Sequence, residues 1–529
     1  MNKHILLSVI LLLSMLQASA QFPQIKWWFD THDASFGQSA AGDIDKDGKP
    51  EIVFGCYRND SCVYALNGED GSLLWKYNTH PAGAEGCNDV APVLYDIDGD
   101  DSLEVIVPSS CNPRTFCFRG SNGAVQWQAP TAGSDSPPTI ADIDNDGKPE
   151  ILHGGFDGHV MCINGENGSV AWSIPVNGNS WVQTAPTIVD ADGNGQLDFV
   201  AGTWAFGSDT SRVSAYRGND QSLLWSVPVG DVIYHGTAVS DLDDDGKPEL
   251  ALGAYDGKLY VLNGEDGSGV WEYQGDIYIG APVTIADLDN DGACEVLFSD
   301  AYGVGALTST GGLLWYYPIP GYGTAFRGVA VSEISGDGIP DVAFGTSTGR
   351  VIVLSGSDGS VVWSLDLAAH YGKTFDIDHA PVIADFDGDG TLDIFLVGGH
   401  AEYPAIQNNY GRGYMISAGN GSGPDWLMFQ HDTRRQSSLC GNPVTSVPET
   451  SPVNNEAFII YPNPANGFIV IETQQPSEIV ITDPEGRKVK MIRTSGIKAS
   501  LDISDLSGGI YLVSFKSGKN IGTRKLVKQ

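Results

Sequence analysis

One acidic loop of nine residues recurs eight times along this chain and constrains its fold more than any other feature. The clearest copy runs from Asp43 to Glu51 (DIDKDGKPE) and is followed directly by the apolar residues 52–54. Successive copies start 46 to 53 residues apart, at Asp43, Asp96, Asp142, Asp190, Asp241, Asp287, Glu333 and Asp385. A period near 50 residues, with short strand-like runs in each repeat, predicts a radial array of small sheets.

Each repeat carries a second signature downstream of its acidic loop. In the first repeat, Asn67-Gly68 and Asp70-Gly71 separate two apolar runs, and the second run ends at Trp75. Such pairs predict hairpin turns because Asn, Asp and Gly accept a positive φ. Each repeat therefore predicts four antiparallel strands, A to D, with the acidic loop between A and B and a tryptophan on D. The tryptophans are Trp75, Trp127, Trp172, Trp225, Trp271, Trp315 and Trp363.

The two ends of the repeat region predict how the array closes. Residues 25–29 (IKWWF) resemble an isolated strand D, and Trp28 would be its tryptophan, whereas the eighth repeat ends in the atypical segment 426–431. An N-terminal strand that completes the last sheet would remove two exposed sheet edges. We therefore expect an all-β chain with an eight-bladed β-propeller, with seven blades as the alternative, followed by a small Ig-like or fibronectin-like β-sandwich.

The flanking segments predict the domain organisation. Residues 1–20 have the basic start, apolar stretch and small-residue end of a secretory signal peptide. We expect the propeller over residues 21–435, a linker rich in Ser, Thr and Pro over 436–457, and the sandwich over 458–529. No later apolar stretch is long enough to predict a transmembrane segment.

The charge is strongly acidic and unevenly distributed. The net charge is −37, and residues 21–456 contain 60 acidic against 18 basic side chains. Such a surface repels phosphate backbones, which excludes nucleic acid as a partner.

The acidic loop has the composition of a site for a hard cation. Positions 1, 3 and 5 offer side-chain oxygens, position 7 a carbonyl, position 9 a carboxylate, and Gly at position 6 permits the sharp turn. We therefore predict Ca²⁺ as cofactor. The candidate ligands are Asp43, Asp45, Asp47 and Glu51; Asp96, Asp98, Asp100 and Glu104; Asp142, Asp144, Asp146 and Glu150; Asp190, Asp192, Asn194 and Asp198; Asp241, Asp243, Asp245 and Glu249; Asp287, Asp289, Asp291 and Glu295; and Asp385, Asp387, Asp389 and Asp393.

Some copies depart from this pattern. Loop two has Asp101 at position 6, where Gly is expected, and loop seven, with Glu333 and Ser335 at positions 1 and 3, is the weakest candidate. The pattern is not an EF-hand, because position 12 of loop one is Phe54 within a strand. Acidic Asx-turns without a cation are the alternative interpretation.

The eight cysteines all follow the signal segment, where export permits disulfides. Two pairs six residues apart, Cys56 with Cys62 and Cys111 with Cys117, are candidate disulfides across short turns. The other four have no evident partner in the sequence, and small buried side chains are the simplest interpretation of two of them, Cys162 and Cys294. The four are Cys87, Cys162, Cys294 and Cys440.

These motifs resemble known families. A strand followed by Asp-x-Asp-x-Asp-Gly-x-x-Glu and a strand ending in Phe-Gly, as in residues 51–55 and 341–345, resembles the FG-GAP repeats of integrin α-type propellers, and the tryptophan strands resemble quinoprotein-like blades. The tail, with Tyr461-Pro-Asn-Pro464, residues 508–513 and the basic end 525–528, resembles a type A C-terminal sorting domain of the type IX secretion system. This resemblance implies a secreted or cell-surface protein of a diderm bacterium and the type IX machinery as a partner.

The propeller resemblance also implies a face for ligands. In such propellers the acidic A–B turns lie on one side, and ligands commonly bind the D–A and B–C turns on the other. Its candidate ligand residues here are His235, His379, Arg327, Trp181 and Trp204, with Asn88, Asp89, Asp135, Tyr234, Tyr278, Arg58, Phe206, His400 and Tyr403 nearby. Aromatic rings beside polar groups suit sugars, although packing around a closed channel is the alternative.

Catalytic signatures are weak in this sequence. The Gly-x-Ser-x-Gly pattern around Ser347 falls in a B–C turn without a following helix, and no phosphate loop or zinc motif occurs. We therefore predict no catalytic residue and no organic cofactor. The expected function is a calcium-binding module that binds or adheres to an extracellular glycan or protein, and the alternative is an extracellular polysaccharide lyase or hydrolase.

Overall fold

The computed structural model describes residues 22–80 and 87–440, together with 458–461, 468–473, 478–482, 488–493, 498–504, 506, 509–517 and 520–528. The candidate signal peptide and most of the expected linker lie outside the described residues. The chain divides into two compact units, Met1–Ser446 and Val447–Gln529. None of the helices in the described part has the length and hydrophobicity needed to cross a membrane.

The first unit is a ring of four-stranded antiparallel sheets, and its first strand is β1 (Gln24–Thr31). Blade 1 contains β2 (Ala40–Gly42), β3 (Glu51–Gly55), β4 (Cys62–Asn67) and β5 (Leu73–Asn78). Blade 2 contains β6 (Val93–Tyr95), β7 (Glu104–Pro108), β8 (Arg114–Arg119) and β9 (Val125–Pro130). Blade 3 contains β10 (Thr139–Ala141), β11 (Glu150–Gly154), β12 (His159–Asn164) and β13 (Val170–Pro175). Blade 4 contains β15 (Thr187–Val189), β16 (Asp198–Gly202), β18 (Arg212–Arg217) and β19 (Leu223–Pro228), with a separate ribbon of β14 (Ser180–Trp181) and β17 (Trp204–Ala205).

The remaining blades repeat this order. Blade 5 contains β20 (Ala238–Ser240), β21 (Glu249–Gly253), β22 (Lys258–Asn263) and β23 (Gly269–Gln274). Blade 6 contains β24 (Thr284–Ala286), β25 (Glu295–Ser299), β26 (Gly303–Leu307) and β27 (Leu313–Pro318). Blade 7 contains β28 (Ala330–Ser332), β29 (Asp341–Gly345), β30 (Arg350–Ser355) and β31 (Val361–Asp366). Blade 8 contains β32 (Val382–Ala384), β33 (Leu392–His400), β34 (Tyr410–Gly419) and β1. The only helices among the described residues are α1 (Leu367–Tyr371) and a 3₁₀ turn (Ile406–Asn408).

The pairing of β1 with β34 closes the ring, as expected from the sequence. The two strands run antiparallel from Gln24 opposite Ser417 to Thr31 opposite Gly411. The propeller therefore has eight blades, and the alternative of seven is wrong.

The tryptophans connect neighbouring blades through a shared contact. The Trp75 indole Nε1 donates to the Gly120 carbonyl of the next blade. The same kind of bond to the next blade is formed by Trp127, Trp225, Trp271, Trp315 and Trp363. The hairpin glycine packs beneath the ring: Gly123 has a φ of +67°, and a Cβ there would lie 2.6 Å from Trp75. A side chain at this position would meet both backbone strain and a steric clash.

One tryptophan assignment from the sequence is wrong. In β1 the indole that bonds to the next blade belongs to Trp27, whose Nε1 donates to the Gly68 carbonyl at 3.0 Å. The side chain of Trp28 is 51% exposed on the outside. A register shift between Ile25 and Trp27 changes which side chain faces inward.

Residues 423–440, which we call the inner strap, line the inside of the ring. Their backbone groups bond to the innermost strands of blades 7, 8, 1, 3, 4, 5 and 6 in that order, and blade 2 is contacted by a side chain, Arg435. The backbone bonds join Gly423 to Glu333, Trp426 to Ile383, Leu427 to Ala41, Thr433 to Ile140, Arg434 to Ile188, Gln436 to Val239 and Ser437 to Ile285. The inner strap thus pairs the innermost sheet edges, which would otherwise have unpaired N–H groups.

The guanidinium of Arg435 holds the inner strap together. This side chain is fully buried and donates to the carbonyls of Pro138, Pro92 and Phe429. Three carbonyl acceptors offset part of the cost of burying the charge. The propeller contacts therefore extend to Cys440, beyond the linker start expected at residue 436.

The disulfides differ from the sequence expectation. Cys87 pairs with Cys111, and Cys294 pairs with Cys440, so the expected Cys111–Cys117 bond is wrong. Cys111 lies in a turn beside Cys87, whose carbonyl accepts from the Ser110 N–H, whereas Cys117 is buried within β8. Cys56 and Cys62 are both buried free thiols, so the other expected bond is also wrong, as is the assignment of Cys294 as an unpaired side chain.

The second unit is strand-rich. Its described strands are β35 (Phe458–Tyr461), β36 (Phe468–Thr473), β37 (Glu478–Thr482), β38 (Lys488–Arg493), β39 (Lys498–Asp502), β40 (Gly509–Ser517) and β41 (Asn520–Lys528). They form two sheets with the orders β35-β36-β39 and β38-β37-β40-β41. Ile469 and Ile471 of one sheet pack in the same buried cluster as Ile479, Ile481 and Val513 of the other. A shared core between two sheets is the arrangement of a β-sandwich.

The Cys294–Cys440 bond generates a stability prediction. Replacing both of its cysteines by Ser is expected to lower the free energy of unfolding by about 1.5 kcal/mol more than the same change at Cys87 and Cys111. The reason is the length of chain that each bond closes, 146 against 24 residues. Thermal unfolding of the two double variants measures the difference, and an equal or smaller loss at Cys294–Cys440 would show that the inner strap does not depend on its disulfide.

Candidate functional site

The acidic loops connect the first and second strands of each blade and gather carboxylates at positions 1, 3, 5 and 9. Among the described residues, seven groups of three or more metal-ligating side chains have ligand atoms that all lie within 4.8 Å of one another, and five of these groups are carboxylate triads in loops one to five. These triads are Asp43, Asp45 and Glu51; Asp96, Asp98 and Glu104; Asp142, Asp144 and Asp146; Asp190, Asp192 and Asp198; and Asp241, Asp243 and Asp245. Such clusters of oxygen ligands can hold a metal ion.

The backbone of each loop explains the order of its residues. In loop one, the Asp43 carboxylate accepts from the Gly48 N–H at 3.1 Å, and the Asp47 carboxylate accepts from the Lys49 N–H at 2.9 Å. Positions 4 and 6 both have positive φ, 68° at Lys46 and 93° at Gly48. In loop two Asp101 takes this conformation with a φ of 67°, which Asp tolerates better than most residues, so its departure from Gly does not disrupt the turn.

The carboxylate at position 9 of loop one is buried, and only one of its oxygens has a hydrogen-bond partner. The Glu51 Oε2 accepts from the Ile44 N–H at 2.8 Å, while its Oε1 is buried without a hydrogen-bond partner. Burial, the largest cause, raises the pKa of Glu51 to about 7. Burial likewise raises the pKa of Glu104, Asp198, Glu249 and Glu295 to about 7 and that of Glu150 to about 8.

Unpartnered oxygens recur in these loops and test whether the residues fit a cation. Besides Glu51 Oε1, carboxylate oxygens that are buried without a hydrogen-bond partner belong to Asp142, Asp192, Asp198, Asp287 and, in loop seven, Asp341. A buried carboxylate oxygen without a donor is stabilised by a proton or a cation. The donor set consists of hard oxygen ligands at the spacing of a tight turn, so it fits a hard divalent cation.

Loop seven uses its first carboxylate differently. Glu333 accepts from the Ser422 N–H at 2.7 Å, from the Ser422 hydroxyl at 3.0 Å, and from the Gly336 N–H. The Glu333 carboxylate therefore accepts hydrogen bonds from its own loop and from Ser422, the residue directly before the inner strap.

Loop eight contains a side-chain cation of its own. The Lys26 Nζ lies 2.7 Å from Asp387, 3.4 Å from Asp389 and 3.0 Å from Asp393. Burial opposes the charge of Lys26, but the bonds to Asp387 and Asp393 outweigh it, so the pKa of Lys26 is raised. Because Lys26 belongs to β1, this ion cluster also attaches the closing strand to blade 8.

The opposite side of the propeller, formed by D–A and B–C turns, carries a series of aromatic rings. We call the aromatic arc the seven residues Phe156, Trp181, Trp204, Tyr234, Tyr255, Tyr278 and Phe326. The centroids of neighbouring rings in the arc are 4.9 to 6.4 Å apart. An eighth ring, Phe206, lies beside the arc with its centroid 4.8 Å from that of Trp181. The arc crosses turns of blades 3 to 7, and it contains Trp181 and Trp204, which were expected at this face.

A charged cluster adjoins the aromatic arc. We call the acid–arginine cluster Asp89, Asp135, Asp378 and Arg327. The Arg327 guanidinium lies 5.3 Å from the centroid of Tyr234, and its Nε lies 3.8 Å from Asp378. Burial and the charge of Asp89 raise the pKa of Asp135 to about 8, and burial raises that of Asp378 against the effect of Arg327.

The two histidines expected at the ligand face are buried rather than exposed. His235 is 5% exposed and its Nδ1 bonds to the Gly280 carbonyl, while His379 is 1% exposed and its Nε2 bonds to the Ser39 hydroxyl at 3.1 Å. Burial, the largest cause, lowers the pKa of His379 to about 3 and that of His235 well below its ordinary value. Both rings are therefore neutral and pack between turns.

The other expected face residues are dispersed. Arg58 stacks on Tyr403 at 5.1 Å, and His400 contacts Tyr410 at 5.6 Å, so these residues form a separate group where blade 8 meets blade 1. Asn88 is fully buried and accepts from the Thr79 hydroxyl at 3.1 Å.

Four residues of this face were not expected from the sequence: Phe156, Tyr255, Phe326 and Asp378. Each is a single residue in a turn, and the one sequence feature that indicates a place at this face is its position between strands B and C or between blades.

The ion cluster in loop eight generates a prediction. Lys26→Gln is expected to lower the free energy of unfolding by about 2 kcal/mol, because three like charges then remain beside the closing strand without a cation. Lys148→Gln is the control, since Lys148 forms only an exposed pair with Glu166. Chemical unfolding of both variants under calcium chelation measures the effect, and equal stability would contradict a role of Lys26 in closure.

Comparison with known families supports this description at both ends of the chain. The model of the FG-GAP-like repeat matches residues 43–107, and the model of the secretion system C-terminal sorting domain matches residues 459–529. The model of outer membrane protein assembly factor BamB, a PQQ-like repeat, matches residues 147–276 and 209–413, which together span about half of the chain. No curated protein sequence matches this chain significantly.

Solved structures share the propeller fold at low sequence identity. The Vibrio cholerae biofilm matrix protein Bap1 superimposes with a TM-score of 0.57 at 16% identity, over 77% of this chain and 94% of that one. Sqt1 of Saccharomyces cerevisiae superimposes with a TM-score of 0.53 at 12% identity, over 74% of this chain and 98% of that one. The quinohemoprotein alcohol dehydrogenase of Comamonas testosteroni superimposes with a TM-score of 0.52 at 11% identity, over 76% of this chain and 77% of that one. At such identity these proteins show the fold alone. The chain belongs to the PQQ-like repeat propellers, contains an FG-GAP-like repeat, and carries a type IX secretion C-terminal sorting domain, which directs it out of the cell or to the cell surface.

Proposed function

We propose that this exported protein is a calcium-stabilised binding module that attaches to an extracellular glycan through its D–A and B–C face. The observation that carries the proposal is the aromatic arc, whose Trp181 is 36% exposed and lies within 4.9 Å of the Phe156 ring. Flat aromatic faces beside hydrogen-bonding groups are typical of sites that bind small polar rings. Bap1, a biofilm matrix protein, has the same fold, which agrees with an extracellular role.

Calcium has a structural role in this proposal. Loops one to six supply the oxygen ligands, with about six ions per chain, while loop seven uses the Ser422 bonds and loop eight uses Lys26. Extracellular calcium modules bind with Kd values of about 10⁻⁴ to 10⁻³ M, so such loops are filled outside the cell. The ions neutralise the face opposite the aromatic arc and hold the turns that begin each strand B.

Removing calcium is expected to destabilise the propeller. At calcium concentrations about ten- to hundredfold above Kd, each occupied site adds about 1–3 kcal/mol to the free energy of unfolding. Chelation should therefore lower the Tm, and added calcium should restore it. Asp146→Asn should reduce this calcium effect, whereas the matched Asp337→Asn in loop seven should not. A Tm that does not respond to calcium would mean that the loops are acidic turns only.

The alternative of a polysaccharide-active enzyme has less support. The residues that would act as acid or base in that hypothesis, His235 and His379, are buried, and each bonds to a protein group. Both rings are neutral and bonded within the protein, so we propose binding without turnover.

Binding to a panel of extracellular polysaccharides tests the function. We expect at least one polymer to bind the propeller and Trp181→Ala to weaken that binding by about tenfold, since it removes a stacking surface. Trp28→Ala is the control, because Trp28 is an exposed tryptophan on the outer strand β1. Failure to bind any polymer, equal effects of the two substitutions, or shortened or unsaturated sugars after incubation would contradict the proposal.

A further inference from the structure

The acid–arginine cluster has more negative than positive charge. Three carboxylates, Asp89, Asp135 and Asp378, surround the single guanidinium of Arg327, and all three carboxylates act electrostatically on it. Asp89 accepts from the Ser110 hydroxyl at 2.5 Å, and Asp135 accepts from the Gln183 amide at 3.3 Å. These neutral donors orient the carboxyl groups but do not compensate the repulsion between them, which adds to burial in raising the pKa of Asp135, so an additional cation beside them is favoured.

Buried polar atoms in this cluster have no partner. The Asp135 Oδ1 and the Gln183 Oε1 are both buried without a hydrogen bond, and they belong to side chains that contact each other. Gln183 is 4% exposed and Arg327 is 9% exposed, and the Arg327 Nε also has no hydrogen-bond partner. With Asp378 Oδ1, which is also buried without a hydrogen bond, three free acceptors lie near one free donor. This set specifies a ligand that carries both a cationic donor and an acceptor such as a hydroxyl.

The inner strap gives this region a floor. Phe429 of the inner strap contacts the His235 ring at a centroid distance of 5.7 Å, and His235 in turn contacts Tyr234 at 4.6 Å. Phe429 is itself buried, so the inner strap packs directly beneath the turns that carry the arc.

We propose that the acid–arginine cluster binds the protonated primary amine of an amino-sugar polymer whose sugar rings stack on the aromatic arc. This inference rests on the proposed function and specifies the ligand of the same face. The ammonium donates to Asp135 Oδ1 and Gln183 Oε1, and a ring hydroxyl accepts from Arg327 Nε.

An amine fits the cluster better than a metal ion does. Calcium takes six to eight oxygen ligands and would lie beside the guanidinium of Arg327, which repels it. An ammonium carries one charge and three donors, and it needs only a few acceptors. The excess of 60 acidic over 18 basic side chains in residues 21–456 also attracts a cationic polymer over long distances.

A sugar polymer fits the aromatic arc better than a lysine side chain in a peptide. The rings continue from Phe156 through Trp204 to Phe326, so they offer several flat faces in sequence. A polymer of flat rings uses these faces together, whereas one lysine chain covers a single face.

Calorimetric titration of the full chain with two matched oligosaccharides tests this inference. At millimolar calcium, a glucosamine oligomer is expected to bind about tenfold or more tightly than an N-acetylglucosamine oligomer of the same length, because only the first presents charged amines. The preference should decrease as salt is added, since it is electrostatic.

Substitutions locate the preference. Asp135→Asn is expected to reduce it by about tenfold without unfolding the protein, because Asn retains the shape and removes the charge. Glu272→Gln, which removes one exposed charge outside the cluster, should leave it unchanged. Trp204→Ala should weaken both oligomers alike. The Tm of each variant confirms that it is folded.

The outcomes separate this inference from the proposed function. Equal affinity for the two oligomers, binding of neither, or an Asp135→Asn variant with the full preference would overturn the amine inference. If a neutral polysaccharide binds and requires Trp181, the binding module stands and only the amine assignment falls.

Discussion

Closure of the ring by β1 is the constraint on which the rest of the propeller depends. A circular array of sheets is stable only when its first and last blades pair, because an open array leaves two long edges exposed. Here the closure combines the β1–β34 ladder, the Trp27 bond to the first blade, and the Lys26 ammonium among the carboxylates of loop eight. The same lysine compensates part of the negative charge of the acidic loop that adjoins the closing strand, so closure there depends on a residue of the chain itself.

The sequence predicted the parts of the fold that repeat. Period, hairpin glycines and tryptophans identified eight blades because each repeat must satisfy the same packing against its neighbours. The parts that do not repeat were missed for a physical reason. The inner strap bonds through backbone carbonyls, such as those of Thr433 and Gln436, and this type of bond places no demand on the side-chain pattern. The Cys294–Cys440 bond joins residues 146 positions apart, and spacing within one repeat carries no information about it.

The candidate sites were predictable to different degrees. The acidic loops follow a local rule, since four candidate ligands fall within nine residues, and the structure brings them together as a turn requires. The candidate ligand face depends on single residues from many turns. Trp181 was expected there because of its residue type, whereas Tyr255 and Phe326 were not expected. The histidines show the limit of such reasoning: a histidine in a turn suggests chemistry, but burial of His235 and His379 makes both of them packing residues.

The two faces of the propeller differ in how their carboxylates are compensated. On the A–B side, each cluster of carboxylates is open to solvent on one side, so small ions from the medium can reach it, and loop eight shows that even a lysine satisfies the same geometry. On the D–A side, Asp135 and Asp378 have Arg327 as their cationic neighbour, and the inner strap packs against His235 below. Charge that the chain compensates contributes to stability, whereas the excess of carboxylates around Arg327 is the feature on which the proposed amine site rests. The two proposed sites therefore differ in where the chain supplies its own cations.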